Sequence, residues 1–469
     1  MERKDLEKLK KSELIEIILI QSAQIEVLMK KVGELEAQLK QNSRNSSKPP
    51  SQGWKPGKIS REKTGANIGG QPGHKGNFLR IEREADEIIK VKPETCQRCG
   101  AVIRDEIGTV LETRQKIDVE IVTKLTEYEQ YEVICPCCGN ENQGEFPKDI
   151  KSHISYGEGV QTIGVLLTNY ANVSYGKTQN IMNDVLEVPI SASTIVNHVE
   201  EFAEKSGNVL GEIAENVKSG EVGHFDETSM RVNGANQWLH TACNNEATYS
   251  TVYPKRGTEG TDDNGVLKDF GGVAVHDCWS PYFQYDNCSH ALCNAHLVRE
   301  LQGVIENTNQ IWAHDMQALL REMKKSVDDL KADNQTVLPD NLIKHFNAEY
   351  DRILELGEKE SPRDTEHRKQ SKSRNLLDRF VDYRTEITRF AENFAVPFTN
   401  NSAERAIRNT KVKMKVSGGF RSNEGAKNFA KISSVVDTAT KQGLSVFKTI
   451  SNIFSGSIHS IFSKLQPVL

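Results

Sequence analysis

Three carboxylates, far apart in the chain, have the clearest chemical use. Asp226 lies in Glu221-Val-Gly-His-Phe-Asp-Glu-Thr-Ser-Met-Arg-Val232, whose period-two pattern reads as a strand with Val222, Asp226, Thr228 and Met230 on one face. Asp277 ends a second strand, Gly272-Val-Ala-Val-His-Asp277, with Val273 and Val275 on its own side. Glu404 follows much later, in the helical pattern of Asn400-Asn-Ser-Ala-Glu-Arg-Ala-Ile-Arg408. Two strand aspartates and a late helical glutamate suit a hard-metal site for phosphoryl transfer. Attack on a phosphodiester by water or a 3′-hydroxyl builds charge on the nonbridging oxygens, and two Mg²⁺ (or Mn²⁺) ions about 3.5–4 Å apart stabilise it while activating nucleophile and leaving oxygen. Mg²⁺ takes oxygen ligands and keeps several waters, so a few carboxylates suffice.

Each acid also has a plain structural reading. Asp226 could close a strand, with Glu227 beside it as a surface acid. Asp277 precedes Cys278-Trp-Ser-Pro281 and could cap a turn. Glu404 stands three residues after Asn401, the spacing of a capping box. Their joint placement on two strands and a helix favours chemistry.

A second constellation is Cys96-Gln-Arg-Cys99-Gly100 and Cys135-Pro-Cys-Cys138-Gly139. In each, glycine permits the turn that lets two thiolates face one ion, and four thiolates make a closed structural zinc site. Cys137 is the spare thiol, with Cys135/Cys137 pairing as the alternative. Residues 111 to 134 alternate like the paired strands of a zinc ribbon.

Charge decides which partners are plausible. The net charge of −5 excludes a uniformly basic binder, but residues 41–80 hold eight Lys/Arg and one Glu, and residues 405–448 hold ten Lys/Arg against Glu424 and Asp437. Two such patches around an acidic site fit a phosphate-rich partner. No run reaches the ~18 apolar residues of a membrane helix, and the charged start is unlike a secretory signal, so a cytoplasmic protein with reduced cysteines is expected.

The elements that must position these residues follow in order. From Leu14 to Leu39 a heptad register places Leu14, Gln21, Leu28 and Leu35 at one core position and Ile18, Ile25, Val32 and Leu39 at the other, which predicts a parallel two-stranded coiled coil. A Gly/Pro/Ser-rich basic stretch follows, suited either to a plain linker or to a phosphate backbone. Residues 155–217 are helical in pattern, and Glu187–Glu200 is like the second half of a helix-turn-helix, with Pro189 breaking one helix and Ser191 or Ser193 capping the next. Gln237–Cys243 and Ala247–Tyr253 add two strands, 258–265 is a polar loop, and 291–305 is helical. A meander, a crossover and a further strand are characteristic of ribonuclease-H-like folds. The long charged helical stretch 307–394 interrupts that core before Glu404. The expected organisation is multidomain α+β: coiled coil 1–42, basic linker 43–92, zinc ribbon 93–148, helical DNA-binding region 149–219, the first part of a ribonuclease-H-like core 220–306, helical insertion 307–395, and final core helix with basic C-terminal region 396–469.

His224-Phe-Asp-Glu-Thr228, His276-Asp-Cys-Trp-Ser-Pro-Tyr282, Cys293-Asn-Ala-His-Leu-Val-Arg-Glu300 and Asn400–Arg408 resemble successive blocks of a DDE transposase of the insertion sequence 66 family. Asn42–Ser51, Gly69–Gly76 and the cysteine knuckles match that family's N-terminal layout. The resemblance implies that Asp226, Asp277 and Glu404 hold catalytic Mg²⁺ or Mn²⁺, that transposon ends are hydrolysed and joined to target DNA, and that accessory proteins of the element act in some members. Cys293 and His296 belong to a block without an assigned role, a buried structural pair being the default and a second metal the less favoured alternative. DNA contacts are expected from Arg44, Lys48, Lys55, Lys58 and Lys75 in the linker. They are also expected from Arg405 and Arg408 beside Glu404, and from Lys411, Lys413 and Lys415 along an extended segment. The coiled coil predicts at least a homodimer on double-stranded DNA. The rival readings are a Mg²⁺-dependent nuclease without strand transfer and a zinc-containing DNA-binding regulator or inactive relic.

Overall fold

A computed structural model describes residues 10–42, 44–46, 83–105, 108–366, 369–458 and 460–462. The chain divides into two compact units, residues 57–122 and the segments 1–56 and 123–469. Lys48, Lys55, Lys58 and Lys75 lie outside the described residues.

In the smaller unit, the described backbone pairs only at the Thr95–Val102 bridge around the first cysteine knuckle. The alternation of residues 111–134 does not produce the expected paired strands. Among the described residues up to 131 no ladder forms, and only β1 (Glu132–Ile134) pairs, with β2 (Glu141–Gln143), around the second knuckle. Leu111, Val119 and Leu125 are exposed, so no buried face exists to fix a register.

The larger unit begins with α1 (Lys11–Leu39), where Ile18, Ile25, Leu28, Val32, Leu35 and Leu39 are all more than half exposed. After the second knuckle come α2 (Glu158–Val165), a π-turn (Leu166–Tyr170), α3 (Tyr175–Asp184), α4 (Ala192–Lys205) and α5 (Gly207–Lys218). Ser191 caps α4, its Oγ accepting the Thr194 N–H at 3.1 Å. Ile195 of that helix packs with Met182, Val188 and Ile190.

Five strands form the central sheet: β3 (Val222–Val232), β4 (Ala235–Cys243), β5 (Thr248–Tyr253), β6 (Val273–His276) and β7 (Ser289–Leu292). Their spatial order is β5-β4-β3-β6-β7; β3 and β4 run antiparallel, as do β4 and β5, whereas β3, β6 and β7 are parallel. Asn233 and Gly234, both at positive φ, turn β3 into β4, a loop that an Asn-Gly pair specifies because both residues tolerate the left-handed region. Two boundaries differ from the sequence reading. Residues 258–265 hold a short helix, α6 (Thr258–Asn264), not only a polar loop, and it stops at Gly265 with φ +74°. Ala291 and Leu292 belong to β7, so the following helix, α7 (Asn294–Asn307), starts later than the apolar pattern suggested.

The insertion contains α8 (Ile311–Ala332), α9 (Asp340–Glu360), α10 (Lys372–Asp382) and α11 (Arg384–Glu392). Trp312, Leu320, Tyr350, Phe380 and Phe390 share one core with Val275 and Leu292 of the sheet and Leu297 and Leu301 of α7. Removing this much apolar surface from water ties the insertion to the strand end that carries Asp277. Three helices close the chain: α12 (Asn401–Ser417) on β3, α13 (Asn423–Lys441) on β5, and α14 (Val446–Ser455) on α2. Gly418 ends α12 at φ +72°, and Gly419 passes so close to β3 that a Cβ there would sit 2.9 Å from the Arg231 carbonyl oxygen. Among the described residues no helix is long and apolar enough to cross a membrane.

Candidate active site

Alternation along β3 gives its two acids opposite roles. Asp226 shares a face with Val222, His224, Thr228 and Met230, the face where Met230 packs with Ile407 and Met414 of α12. Glu227 points the other way and is not a surface acid. Its side chain is buried, 2.6 Å from the Arg256 guanidinium, and accepts a hydrogen bond from the Tyr282 hydroxyl. Arg256 is in turn held between the rings of Trp238 and Trp279, at 5.2 and 4.3 Å.

Asp277 immediately follows β6, and its Oδ1 accepts the Trp279 N–H at 3.0 Å. The turn-capping reading is therefore real, but it occupies one oxygen only. His276, just before it, is fully buried against Tyr282 and hydrogen-bonded to His290, so the strand end is fixed by packing.

Glu404 sits in the first turn of α12, yet it is not part of a capping box. The N-cap is Asn400, and Glu404 Oε1 is buried with no hydrogen-bond partner. Asn400 instead joins helix to strand. Its Oδ1 lies 2.8 Å from His224 Nδ1, its Nδ2 donates to the Phe225 carbonyl at 2.8 Å, and its backbone N–H donates to Cys293 Sγ at 3.2 Å. An amide oxygen only accepts, so His224 Nδ1 carries the proton.

Electrostatics links the three acids. Burial first, then the charges of Glu227, Asp277 and Glu404, holds the Asp226 carboxyl well above its ordinary range. Asp277 is pushed up to about 6, chiefly by burial and then by Glu227, while the Trp279 N–H and Arg256 pull it down. Asp226 thus lies in the field of Asp277 and Glu404, and Glu404 keeps an orphaned oxygen, but the three acids do not bring one ligand oxygen each within 4.8 Å of one another.

Around them lie residues that sequence reasoning left without a role. Cys293 occupies the N-cap position of α7, His296 is in its first turn, and one ligand atom each from Cys293, His296 and Glu404 lie within 4.8 Å of one another. A cavity of about 260 Å³ is lined by Asp277, Cys278, Cys293, His296, Glu300 and Arg379.

The basic residues after Glu404 are helical rather than extended. Arg405, Arg408, Lys411 and Lys415 are exposed, and Lys411 Nζ donates to the Ser229 carbonyl at 3.1 Å. Lys413 turns inward: it is buried, donates to the Thr168 carbonyl of the π-turn at 2.7 Å, and burial lowers its pKa to about 8. Arg44 is exposed.

Each cysteine knuckle has the same local build. Cys96 N–H donates to the Ala101 carbonyl and Gly100 N–H to the Cys96 carbonyl; Cys135, Asn140 and Gly139 repeat the pattern, and Gly100 and Gly139 have φ of +74° and +71°. Backbone N–H groups of the turn lower the pKa of Cys96 and of Cys135, whose side chains are hydrogen-bonded to those of Cys99 and Cys138 respectively. Cys137 is exposed.

A family model described as "Transposase IS66 family" matches residues 156–428, more than half of the chain. The chain belongs to the IS66 transposase family. The matched region spans Asp226, Asp277, Cys293, His296 and Glu404 and excludes both knuckles. Membership of the IS66 family makes this a transposase, an enzyme that cuts and transfers DNA and so binds it, and DDE transposases generally use divalent metals. A second model, for a family of unknown function (DUF6444), matches residues 3–80. No curated protein matches the chain.

Proposed function

We propose that this IS66 transposase cleaves the ends of its element and joins them to target DNA at a DDE site of Asp226, Asp277 and Glu404. The observation that carries the reading is the field that Asp277 and Glu404 exert on Asp226, two of these acids coming from adjacent parallel strands and one from the helix packed on β3. The strand order, with only β4 reversed against the others in its neighbourhood, supports a ribonuclease-H-like core. Bound Mg²⁺ or Mn²⁺ would activate the attacking water or 3′-hydroxyl and offset charge on the phosphate.

This chain's residues supply the positioning. Asn400 fixes the start of α12 to β3, which keeps Glu404 near enough for its charge to reach Asp226. Glu404, Arg408, Lys411 and Lys415 recur at helical spacing along α12, which makes a basic track leading from the acids and suited to a phosphate backbone. Arg405 and Arg44 can add contacts, whereas the buried ammonium of Lys413 is committed to the fold. The local build of each knuckle, a glycine turn whose backbone N–H groups lower the pKa of its first cysteine, supports Zn²⁺-ligating thiolates at Cys96 and Cys99 and at Cys135 and Cys138. The exposed seam of α1 supports a homodimer, which would raise the effective concentration of one transposon end near the other.

The test is incubation of the full chain with labelled element ends and a plasmid target in Mg²⁺. Joined products support the proposal; cleavage without joining selects a nuclease. Binding without either reaction in the presence of the element's companion proteins selects a regulator.

A further inference from the structure

We infer that Cys293, His296 and Glu404 form a second metal site, selective for a borderline-soft divalent ion of the Zn²⁺ class. Cys293 and His296 come from the N-terminus of α7 and Glu404 from the first turn of α12, so two helices converge with three different ligand types. The described residues hold no other such group of three within 4.8 Å.

The surroundings prepare the thiol by hydrogen bonding and leave the other two ligands unpartnered. Cys293 Sγ accepts the Asn400 N–H and lies against the N–H groups of Ala295 and His296, donors that favour a thiolate at a helix N-terminus. Without a cation, burial dominates and pushes that thiol up to about 11. His296 Nδ1 and Glu404 Oε1 are buried with no hydrogen-bond partner, and Glu404 Oε1 is 3.9 Å from His296 Nε2. Tetrahedral zinc places its N, O and S ligands about 3.3–3.7 Å apart, so modest side-chain closure from the observed spacing makes a three-ligand site. The cavity lined by Cys293, His296 and Asp277 leaves room for water at the fourth position. Thiolate and imidazole select this class of ion over Mg²⁺, which prefers an all-oxygen shell.

The site shares Glu404 with the proposed reaction. Its binding does not require that reaction, but its consequence does: a carboxylate engaged by a soft ion is withdrawn from the hard-ion site, so Zn²⁺ would compete with Mg²⁺ for catalysis.

The experiment is metal content and Co²⁺ absorption of the full chain, without DNA or Mg²⁺, for wild type, Cys293→Ser and His296→Ala. The expected result is one more Zn²⁺ per chain in wild type than in either variant. The wild-type minus Cys293→Ser spectrum should show a sulfur-to-cobalt band, because the knuckle contribution cancels. Co²⁺ affinity at this site should fall ~100-fold or more in His296→Ala, beyond the loss of an outer-shell partner alone. Equal metal content in wild type and His296→Ala overturns the inference, and because His296 is only partly buried that variant remains informative if Cys293→Ser does not fold. Absence of DNA cleavage would count against the proposed reaction and leave this result standing.

Discussion

Asn400→Ala tests how the fold holds the glutamate proposed as catalytic, Glu404. The side chain is almost fully buried and satisfies two groups of β3, the His224 ring and the Phe225 carbonyl. Truncation leaves both without their partner, and a buried unsatisfied group costs ~1–3 kcal/mol, so the variant should lose ~2–6 kcal/mol. Asn400→Asp should not rescue it: the acceptor for His224 Nδ1–H survives, but the donor to Phe225 becomes an oxygen facing an oxygen, in a region already crowded with carboxylates. The assay is urea unfolding followed by tryptophan fluorescence, because Trp238 and Trp279 lie on the sheet and beside Asp277. Both variants should unfold at lower urea with similar slope, and both should lose DNA cleavage under conditions where they remain folded. A loss of less than ~0.5 kcal/mol, the range of an ordinary surface substitution, would refute the clamp.

Three further outcomes follow from the packing. Burial raises Asp437 from the usual carboxylate range to about 7. The folded state therefore holds the proton more tightly than the unfolded state, and stability falls as pH rises from about 4 to about 7. Asp437→Asn should be stabilising by ~2–4 kcal/mol at pH 8 and neutral near pH 3.5, read from urea midpoints at the two pH values. Arg256→Ala strands the buried Glu227 carboxylate with Tyr282 alone; because Arg256 is partly exposed, the loss should be ~1–3 kcal/mol, below the ~3–5 of a fully buried pair. Adding Glu227→Gln should recover part of it. Ile25→Asp with Leu28→Asp in α1 should convert a dimer to a monomer in sedimentation, leaving the thermal unfolding of the sheet unchanged; a monomeric wild type would remove the coiled-coil proposal.

The strands that carry or precede Asp226 and Asp277 were legible in the sequence because strands repeat every two residues and end at recognisable turns. Their surroundings were less so. Glu227 looked like a surface acid because its partners, Arg256 in a loop and Tyr282 in a short 3-10 helix, arrive from 29 and 55 residues away, which no local pattern encodes. Cys293 and His296 had a recognisable spacing, but only the packing of α12 brings Glu404 to them. Lys411, Lys413 and Lys415 illustrate a wrong period. Every second residue suggests a strand, yet on a helix successive members are turned by roughly 200°. Lys411 and Lys415 consequently share the exposed side while Lys413 faces the π-turn; the helical N-terminal signal at Asn400 and the stop at Gly418 outweigh the alternation. The reverse error occurred in residues 111–134, where alternation was read as pairing although no apolar face is buried.

The central claim is that Asp226, Asp277 and Glu404 act as one site, and it is tested most directly by strand cleavage of labelled element ends in Mg²⁺. Wild type should be compared with Asp226→Asn, Asp277→Asn and Glu404→Gln, with DNA binding measured for each. The account predicts that all four proteins bind the ends and that only wild type cuts them. Cleavage persisting in any one variant would remove that acid from the site and contradict the account.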